Sequence, residues 1–392
     1  MSDADAAGVV IVGAGVVGCA AARELAPDHD VHVVDAGQVA GATTAKASGL
    51  VSIVADYPEH PDAARYAMRF FREYDGTGQF SFTERPSVSL ATEDGLDDAW
   101  AFGEQVAEHG FDVTFHDRAS LEDRFPGVFD LDTFAGGVEY ADTGWVDPYT
   151  FATTLQADAE DRGATFETGT EVTGVLVEDD AVAGVQTERG PIHADHVVVA
   201  AGWRTRDLVA EFVEIPTRPF RYQWVNVETD RAFGDDYPIA WERLTRFYWR
   251  PEHNGDLHVG GGTYFVDPPG DVRSGATAAF KRTVAEHVTD YLQGIDDARL
   301  SGDATCPTGD AATPDGYPVL DAPSDAPDGL VVATGMHGFG IMAAPVAGRA
   351  VRALVAGEDA PFPVDGFALD RFDSRTADFE SAYIREPGSE WE

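Results

Sequence analysis

Short apolar runs and longer stretches of helical spacing alternate along the opening of this chain. Together they predict a strand, a helix and a second strand. Residues 9–12 read VVIV and lead into Gly13, Gly15 and Gly18. A small-residue helix is expected over 19–25, and an apolar strand over 31–34 that ends in Asp35. Apolar and aromatic residues at helical spacing predict a helix at Pro61–Tyr74, a strand at Ser87–Ala91 and a helix over 95–109. Residues 136–148 (GGVEYADTGWVDP) read as turn-rich, and a helix is expected over 149–162. Two short strands over 172–177 and 182–186 precede VVVAAG, whose unbroken apolar run suits a strand buried on both faces. Beyond residue 215 the pattern turns aromatic, with strands expected over 220–228, 246–251 and 257–264 and a helix over 276–294. The first pattern then returns, with a strand at Leu330–Thr334, a glycine-rich turn and a helix over 343–355.

The glycine spacing carries chemistry because of where it falls. Gly13 permits a tight turn after the strand, Gly15 lets the backbone approach a pyrophosphate, and Gly18 lets helix and strand pack closely. The helix N-terminus offers N–H groups and partial positive charge to phosphates. Asp35, ending the second strand, is placed to accept hydrogen bonds from an adenosine ribose. Strand, glycines, helix, strand and acid in this order specify a dinucleotide and leave NAD and FAD both open.

Composition adds a second constraint. The chain has 392 residues, with 27 Lys and Arg against 69 Asp and Glu, a net charge of −42. Lys46 and Lys281 are its only lysines. A hydrophobic content of 44% with regular strand patterns argues for a folded core under an acidic coat. Such a surface repels nucleic acid and anionic membranes. Its self-repulsion eases in molar salt, where the Debye length is about 3 Å. Few lysines and many aspartates resemble the proteins of salt-accumulating halophiles. Two cysteines, Cys19 and Cys306, make no disulfide framework, which fits a reducing interior. Residues 1–7 are too short and acidic for a signal peptide, and no apolar run reaches the length of a membrane span. A soluble cytoplasmic protein is expected.

Five segments in order resemble the FAD-dependent glycine and D-amino-acid oxidase family, which includes sarcosine oxidase, glycine oxidase and dimethylglycine dehydrogenase. They are VVIVGAGVVG, DTGWVDPYTFATTL, GVQTERGPIHADHVVVAAG, RFYWRPEHNGDLHVGGG, and TPDGYPVLD with VVATGMHGFGIMAAPVAGRAV. The late strand and glycine-rich turn favour FAD over NAD. The resemblance implies an α/β fold: an FAD-binding Rossmann-like domain of glutathione-reductase type with an inserted antiparallel-sheet substrate domain of α+β character. The FAD domain is expected from 1–85, 136–214 and 300–372, the substrate domain from 86–135 and 215–299, and a polar tail from 373–392. By the same resemblance, Gly13, Ala14, Gly15, Val17 and Gly18 would hold the FAD pyrophosphate and Asp35 the ribose. Thr43, Thr44, Lys46 and Gly49 would wrap the isoalloxazine ring, and Val172 would touch the adenine. Ala201, Gly202 and Trp203 would line the cofactor. Gly338, Phe339, Gly340, Ile341 and Met342 would face the pyrimidine edge of the flavin, and His337 would lie near the ring.

The resemblance further implies oxidation of a C–N bond beside a carboxylate, with hydride passing to flavin and O2 or an electron-transfer partner as acceptor. It needs no metal. The candidate catalytic residues are Tyr248, Arg250 and His258. His258 stands where oxygen-using relatives carry a lysine, so it is read either as a charge for oxygen reduction when protonated or as a hydrogen-bonded strand-end histidine. That substitution favours a dehydrogenase feeding a flavoprotein or quinone. Met342 and Asp310 stand where relatives place cationic substrate anchors. Tyr248, Arg250 and Arg221 are therefore the candidate substrate contacts, with Arg250 offering the fork a carboxylate accepts. Asp310 reads as a site for a cationic substrate group or as a surface acid. Cys306 lies farther from Thr313 than the cysteine of flavin-attaching relatives, so FAD is expected without a covalent link. Hydroxy-acid oxidation, a non-catalytic FAD-binding subunit and an oligomer remain open.

Overall fold

The computed structural model describes residues 7–231, 233–234, 237–266, 275–305, 309–382 and 384–388. Cys306 lies outside them. Two large sheets dominate. The first has five parallel strands side by side in the order Thr165–Thr168, Val31–Asp35, Ala7–Val12, Gly190–Val199, Leu330–Thr334. Val9 and Ile11 face one hydrophobic cluster, and Val10 and Val12 face another. Both faces are thus covered, which is why these strands read as unbroken apolar runs. The strand Gly190–Val199 has two roles: its first half closes an antiparallel meander with Val172–Glu178 and Ala181–Thr187, and its second half enters the parallel sheet.

One face of this sheet is covered by helices. Val16–Leu25 packs against Pro148–Asp161 and against the long helix Gly340–Ala356. Small residues set this crossing. A Cβ added at Gly348 would stand 2.8 Å from the carbonyl carbon and oxygen of Ala20.

The second sheet runs Arg299–Thr305, Arg218–Glu228, Leu257–Phe265, Tyr248–Pro251, Ile239–Glu242, Ser87–Ala91, Gly136–Tyr140, Val113–Asp117. Its pairings are antiparallel except between Ile239–Glu242 and Ser87–Ala91. Phe247, Trp249, Leu257 and Val259 pack with Phe280, Val284 and Val288 of the helix Ala278–Tyr291. Strand alternation therefore turns Tyr248, Arg250 and His258 to the opposite face.

Several expectations change. Residues 136–148 are two strands, Gly136–Tyr140 and Gly144–Val146, joined by a turn. Glycine has low strand propensity and hid the first; here Gly137 admits the close backbone of Ser89, whose oxygen would lie 2.7 Å from an added Cβ. Gly136–Tyr140, Asp310–Ala312 and all but the first residue of Arg299–Thr305, expected in the FAD-domain segments, pair within the second sheet. Described residues of the polar tail are docked: Ile384 is buried with Phe220, Tyr222 and Phe265, and Arg218 pairs with Glu386. Its few apolar residues are spaced too irregularly to announce an element.

The helix crossing gives a direct test. Gly348→Val should destabilise the protein by about 1–3 kcal/mol through overpacking against Ala20. Denaturant unfolding would check it, and an unchanged midpoint would refute the close approach.

Candidate active site and cofactor cleft

A cavity of about 1090 Å³ opens at the carboxyl ends of the parallel strands. This exceeds the roughly 300–1,000 Å³ of ordinary ligand pockets and suits a long ligand. Gly13, Gly15, Val17, Asp35, Thr43 and Thr44 line it from the first strand–helix–strand unit and the loop beyond. Val172, Ala201, Gly202 and Trp203 line it from the meander and the end of the central strand. Gly338, Gly340 and Ile341 line it from the turn before the long helix, and Asp310 and Tyr222 from the second sheet.

The remaining cofactor candidates do not line the cavity. Gly18 carries the helix onto the strand, since an added Cβ would lie 1.8 Å from the Gly13 oxygen. Gly49 abuts the strand Gly144–Val146, with the Val146 oxygen 1.9 Å from an added Cβ. Lys46 is exposed, and its carbonyl accepts the Trp224 indole N–H at 3.0 Å. Met342 is buried in the core beneath the first sheet. Phe339 caps the long helix and packs edge-on to Tyr57.

The residues fit a dinucleotide. Asp35 Oδ2 accepts the Ala14 N–H at 2.7 Å and Oδ1 accepts the Gly37 N–H at 2.7 Å, which fixes the carboxylate at the cleft wall. Thr44 Oγ1 accepts the Val16 N–H at 3.1 Å. The helix itself gives no partner to the N–H groups of Val17 and Gly18. A Cβ at Gly15 would meet only the Thr44 hydroxyl, at 3.4 Å, so its hydrogen leaves a cradle over that helix end. The long helix Gly340–Ala356 brings a second N-terminus to the same cavity. Two helix ends facing one cleft suit a ligand with a diphosphate at one end and an electron-rich ring at the other.

Asp310 is buried at the cavity wall. Its carboxylate accepts the N–H groups of Ala311 and Gly338, each at 2.8 Å. Burial outweighs those bonds and pushes its pKa up to about 6. His337, beside it, adopts a left-handed backbone with φ 53°. Its Nδ1 accepts the Thr313 N–H at 3.4 Å, and burial holds its pKa at about 4.

The three catalytic candidates come together around a residue that sequence reasoning missed. Ser48 Oγ lies 2.6 Å from Tyr248 Oη and 2.8 Å from His258 Nε2. Its neighbour Ala47 lines the cleft. His258 Nδ1 faces Asn226 Oδ1 at 3.2 Å and Glu252 Oε1 at 3.5 Å. Burial lowers the His258 pKa to about 4, against the pull of Glu252, so the imidazole is neutral. Burial alone would raise the Glu252 carboxyl, yet His258 and Arg250 hold it at about 2.

Arg250 is not on the cavity wall. Its Nε donates to the Ser48 carbonyl at 2.9 Å, Nη1 stands 3.1 Å from Glu252, and the guanidinium lies 4.2 Å from the centre of the Trp145 ring. The fork expected to meet a substrate carboxylate is thus occupied by the protein. Arg221 also stands off the cleft. It is buried on the strand Arg218–Glu228 and does not line the cavity; a register shift falls between it and Gln223, which bonds the Gly262 carbonyl. Glu252 was legible as the residue two beyond Arg250, just past the strand Tyr248–Pro251; Ser48 carried no signal beyond lying in the ATTAKASG loop.

Comparison with known proteins agrees with this geometry. The family model described as "FAD dependent oxidoreductase" matches residues 8–354. The 4-methylaminobutanoate oxidase (formaldehyde-forming) of Paenarthrobacter nicotinovorans is 26% identical over 387 residues, covering 93% of this chain and 45% of that protein. Human mitochondrial dimethylglycine dehydrogenase is 26% identical over 269 residues, covering 64% of this chain and 30% of that protein. The chain thus spans less than half the length of these relatives. Glycine oxidase from Geobacillus kaustophilus superposes with a TM-score of 0.83 at 22% identity, covering 94% of this chain and all of that one. L-proline dehydrogenase from P. horikoshii gives a TM-score of 0.85 at 22% identity, covering 94% and 98%. With a glycine turn, two helix ends and a cleft shaped for a flavin dinucleotide, matched along nearly its whole length, the chain belongs to the FAD-dependent oxidoreductase family of the D-amino-acid oxidase (DAO) type.

Proposed function

We propose that this chain oxidises the carbon–nitrogen bond of an N-methylated amine or amino acid. The observation that carries the reading is the cleft, where two helix N-termini face one cavity beside the buried Tyr248–Ser48–His258 group. The names of the relatives, a methylaminobutanoate oxidase and a dimethylglycine dehydrogenase, supply the substrate class. Bound FAD would accept the two electrons that leave the C–N bond. In this reading the Val17 and Gly18 amides hold the diphosphate, Asp35 the ribose, and the Gly340 and Ile341 amides the pyrimidine edge. Tyr248 contacts the substrate. Arg250 positions Glu252 and Ser48 instead of binding carboxylate. His258 is neutral where oxygen-using relatives have a cation, which favours a flavoprotein or quinone as acceptor over O2.

The test is anaerobic bleaching of the FAD-loaded protein by N-methylated amines, D- and L-amino acids and hydroxy acids, in molar salt to screen the −42 charge. Bleaching by N-methylated compounds, followed by slow recovery in air, is expected. Bleaching by hydroxy acids alone would overturn the reading, and no bleaching at all would make the chain a non-catalytic flavin carrier.

Two further outcomes follow from the site. Arg250→Ala should cost roughly 3 kcal/mol or more of stability, because it strands Glu252 beside a buried histidine. The substrate KM should move little; a large rise in KM at unchanged stability would return Arg250 to the anchor role. For Asp310, the folded-state pKa of about 6 lies above the ordinary 3.8, so its contribution favours folding at low pH and is lost as pH rises between these values. Asp310→Asn should therefore gain stability relative to the parent across that window, by up to roughly 1.4 kcal/mol per pH unit. Thermal melts of both proteins at several pH values would check it, and parallel curves would refute it.

A further inference from the structure

We propose that Asp310 anchors the substrate by holding a second, non-reacting ammonium group, so that this cleft prefers an N-methylated diamine over an amino acid. The proposal rests on the amine-oxidation reading above and narrows its substrate class. Among the described residues, the charged side chains lining the cavity are Asp35, Glu171, Arg204, Asp207 and Asp310. Arg204 is the one cation among them, and it faces Glu171 at 3.4 Å. Arg221 and Arg250 are buried but line no part of the cavity, and Arg250 is closed on Glu252. A substrate carboxylate entering here would meet an acidic wall.

Asp310 has capacity left for a ligand. It is 8% exposed and lines the cavity. Its Oδ1 accepts the Ala311 N–H and its Oδ2 the Gly338 N–H, both at 2.8 Å. A carboxylate oxygen accepts two such bonds, so each keeps a lone pair. Among the described residues no cation pairs with it. Buried carboxylates are ordinarily matched by a cation, and an ionised Asp310 lacks one. The other group within reach of its charge is the Tyr57 hydroxyl, itself buried without a hydrogen-bond partner. The anchor is held in place from both sides. The Gly309 carbonyl accepts the Thr43 hydroxyl at 2.6 Å, and Asp310 pairs with Phe220 across the sheet. Tyr222, farther along that strand, also lines the cavity and offers an aromatic ring to a methylene chain or a cation.

Local charge and overall charge make different demands here. The net charge of −42 draws any cation toward the protein, but molar salt shortens the Debye length to about 3 Å and screens that pull. A buried carboxylate is screened far less. A diamine preference set by Asp310 therefore persists in molar salt, whereas one set by the acidic coat disappears.

The experiment uses FAD-loaded parent and Asp310→Asn in molar salt. Three N-methylated amines of equal length are compared, ending in an ammonium, a methyl group or a carboxylate. The concentration that half-saturates anaerobic bleaching is read for each. In the parent the ammonium compound should half-saturate roughly 10- to 100-fold below the methyl compound, the range of one charge-assisted bond. The carboxylate compound should need the highest concentration. Asp310→Asn should bring the ammonium-to-methyl ratio to within about 2-fold of unity. In the parent the same ratio should shrink as pH falls below about 6, where Asp310 takes up a proton while the diamine keeps both charges. The two compounds share one reacting amine, so its own titration cancels. Three equal values in the parent, or a carboxylate compound that half-saturates first, overturn the diamine inference and leave amine oxidation standing. So does a ratio that Asp310→Asn leaves unchanged. A loss shared equally by all three amines makes Asp310 a brace for the Gly338 turn and overturns the inference as well. If Asp310→Asn does not retain FAD, the pH profile of the parent decides alone. A parent that none of the three bleaches overturns the amine reading itself, and the diamine inference with it.

Discussion

The close approach of backbone at the first turn governs the rest of the molecule. Gly13 has φ 109°, and a Cβ there would stand 2.5 Å from the Ala200 oxygen. A Cβ at Gly18 would stand 1.8 Å from the Gly13 oxygen. These contacts bring the first helix onto its strand and aim its N-terminus along the strand ends. The long C-terminal helix then packs on the first helix at Gly348 and Ala20, and its own N-terminus reaches the same cavity. Segments more than three hundred residues apart thus build one cleft, because small residues remove the side chains that would hold them apart.

The second sheet supplies what the first lacks. One face is anchored on an aromatic and aliphatic core with the helix Ala278–Tyr291. The other presents polar residues to the loop 43–48, tied by bonds from Tyr222 to the Thr43 carbonyl, Trp224 to the Lys46 carbonyl and Arg250 to the Ser48 carbonyl. These bonds run from side chain to backbone, so they fix the loop's path whatever its own side chains are. The Arg250–Glu252 pair costs desolvation that its hydrogen bonds and the Trp145 ring offset, and its effect is to hold a neutral histidine beside the site.

The sequence by itself determined the nucleotide half. Gly13, Gly15, Gly18 and Asp35 are legible because a phosphate cradle needs glycine at fixed spacing between a strand and a helix. Unbroken valine runs identified the buried parallel strands, and Pro61–Tyr74, Ser87–Ala91 and Leu330–Thr334 fall where periodicity put them. Only the tertiary structure decided the substrate half. Gly136–Tyr140 and Arg299–Thr305 are strands because neighbouring strands pair with them, not because their residues prefer extension. The role of a charged side chain is also set by what stands next to it. Arg250 looks from sequence like a free fork, and folding closes it on its near neighbour Glu252 and on the carbonyl of Ser48, which local pattern cannot bring to it. Backbone geometry is written locally in glycine and valine; the pairing of buried charges is written only in space.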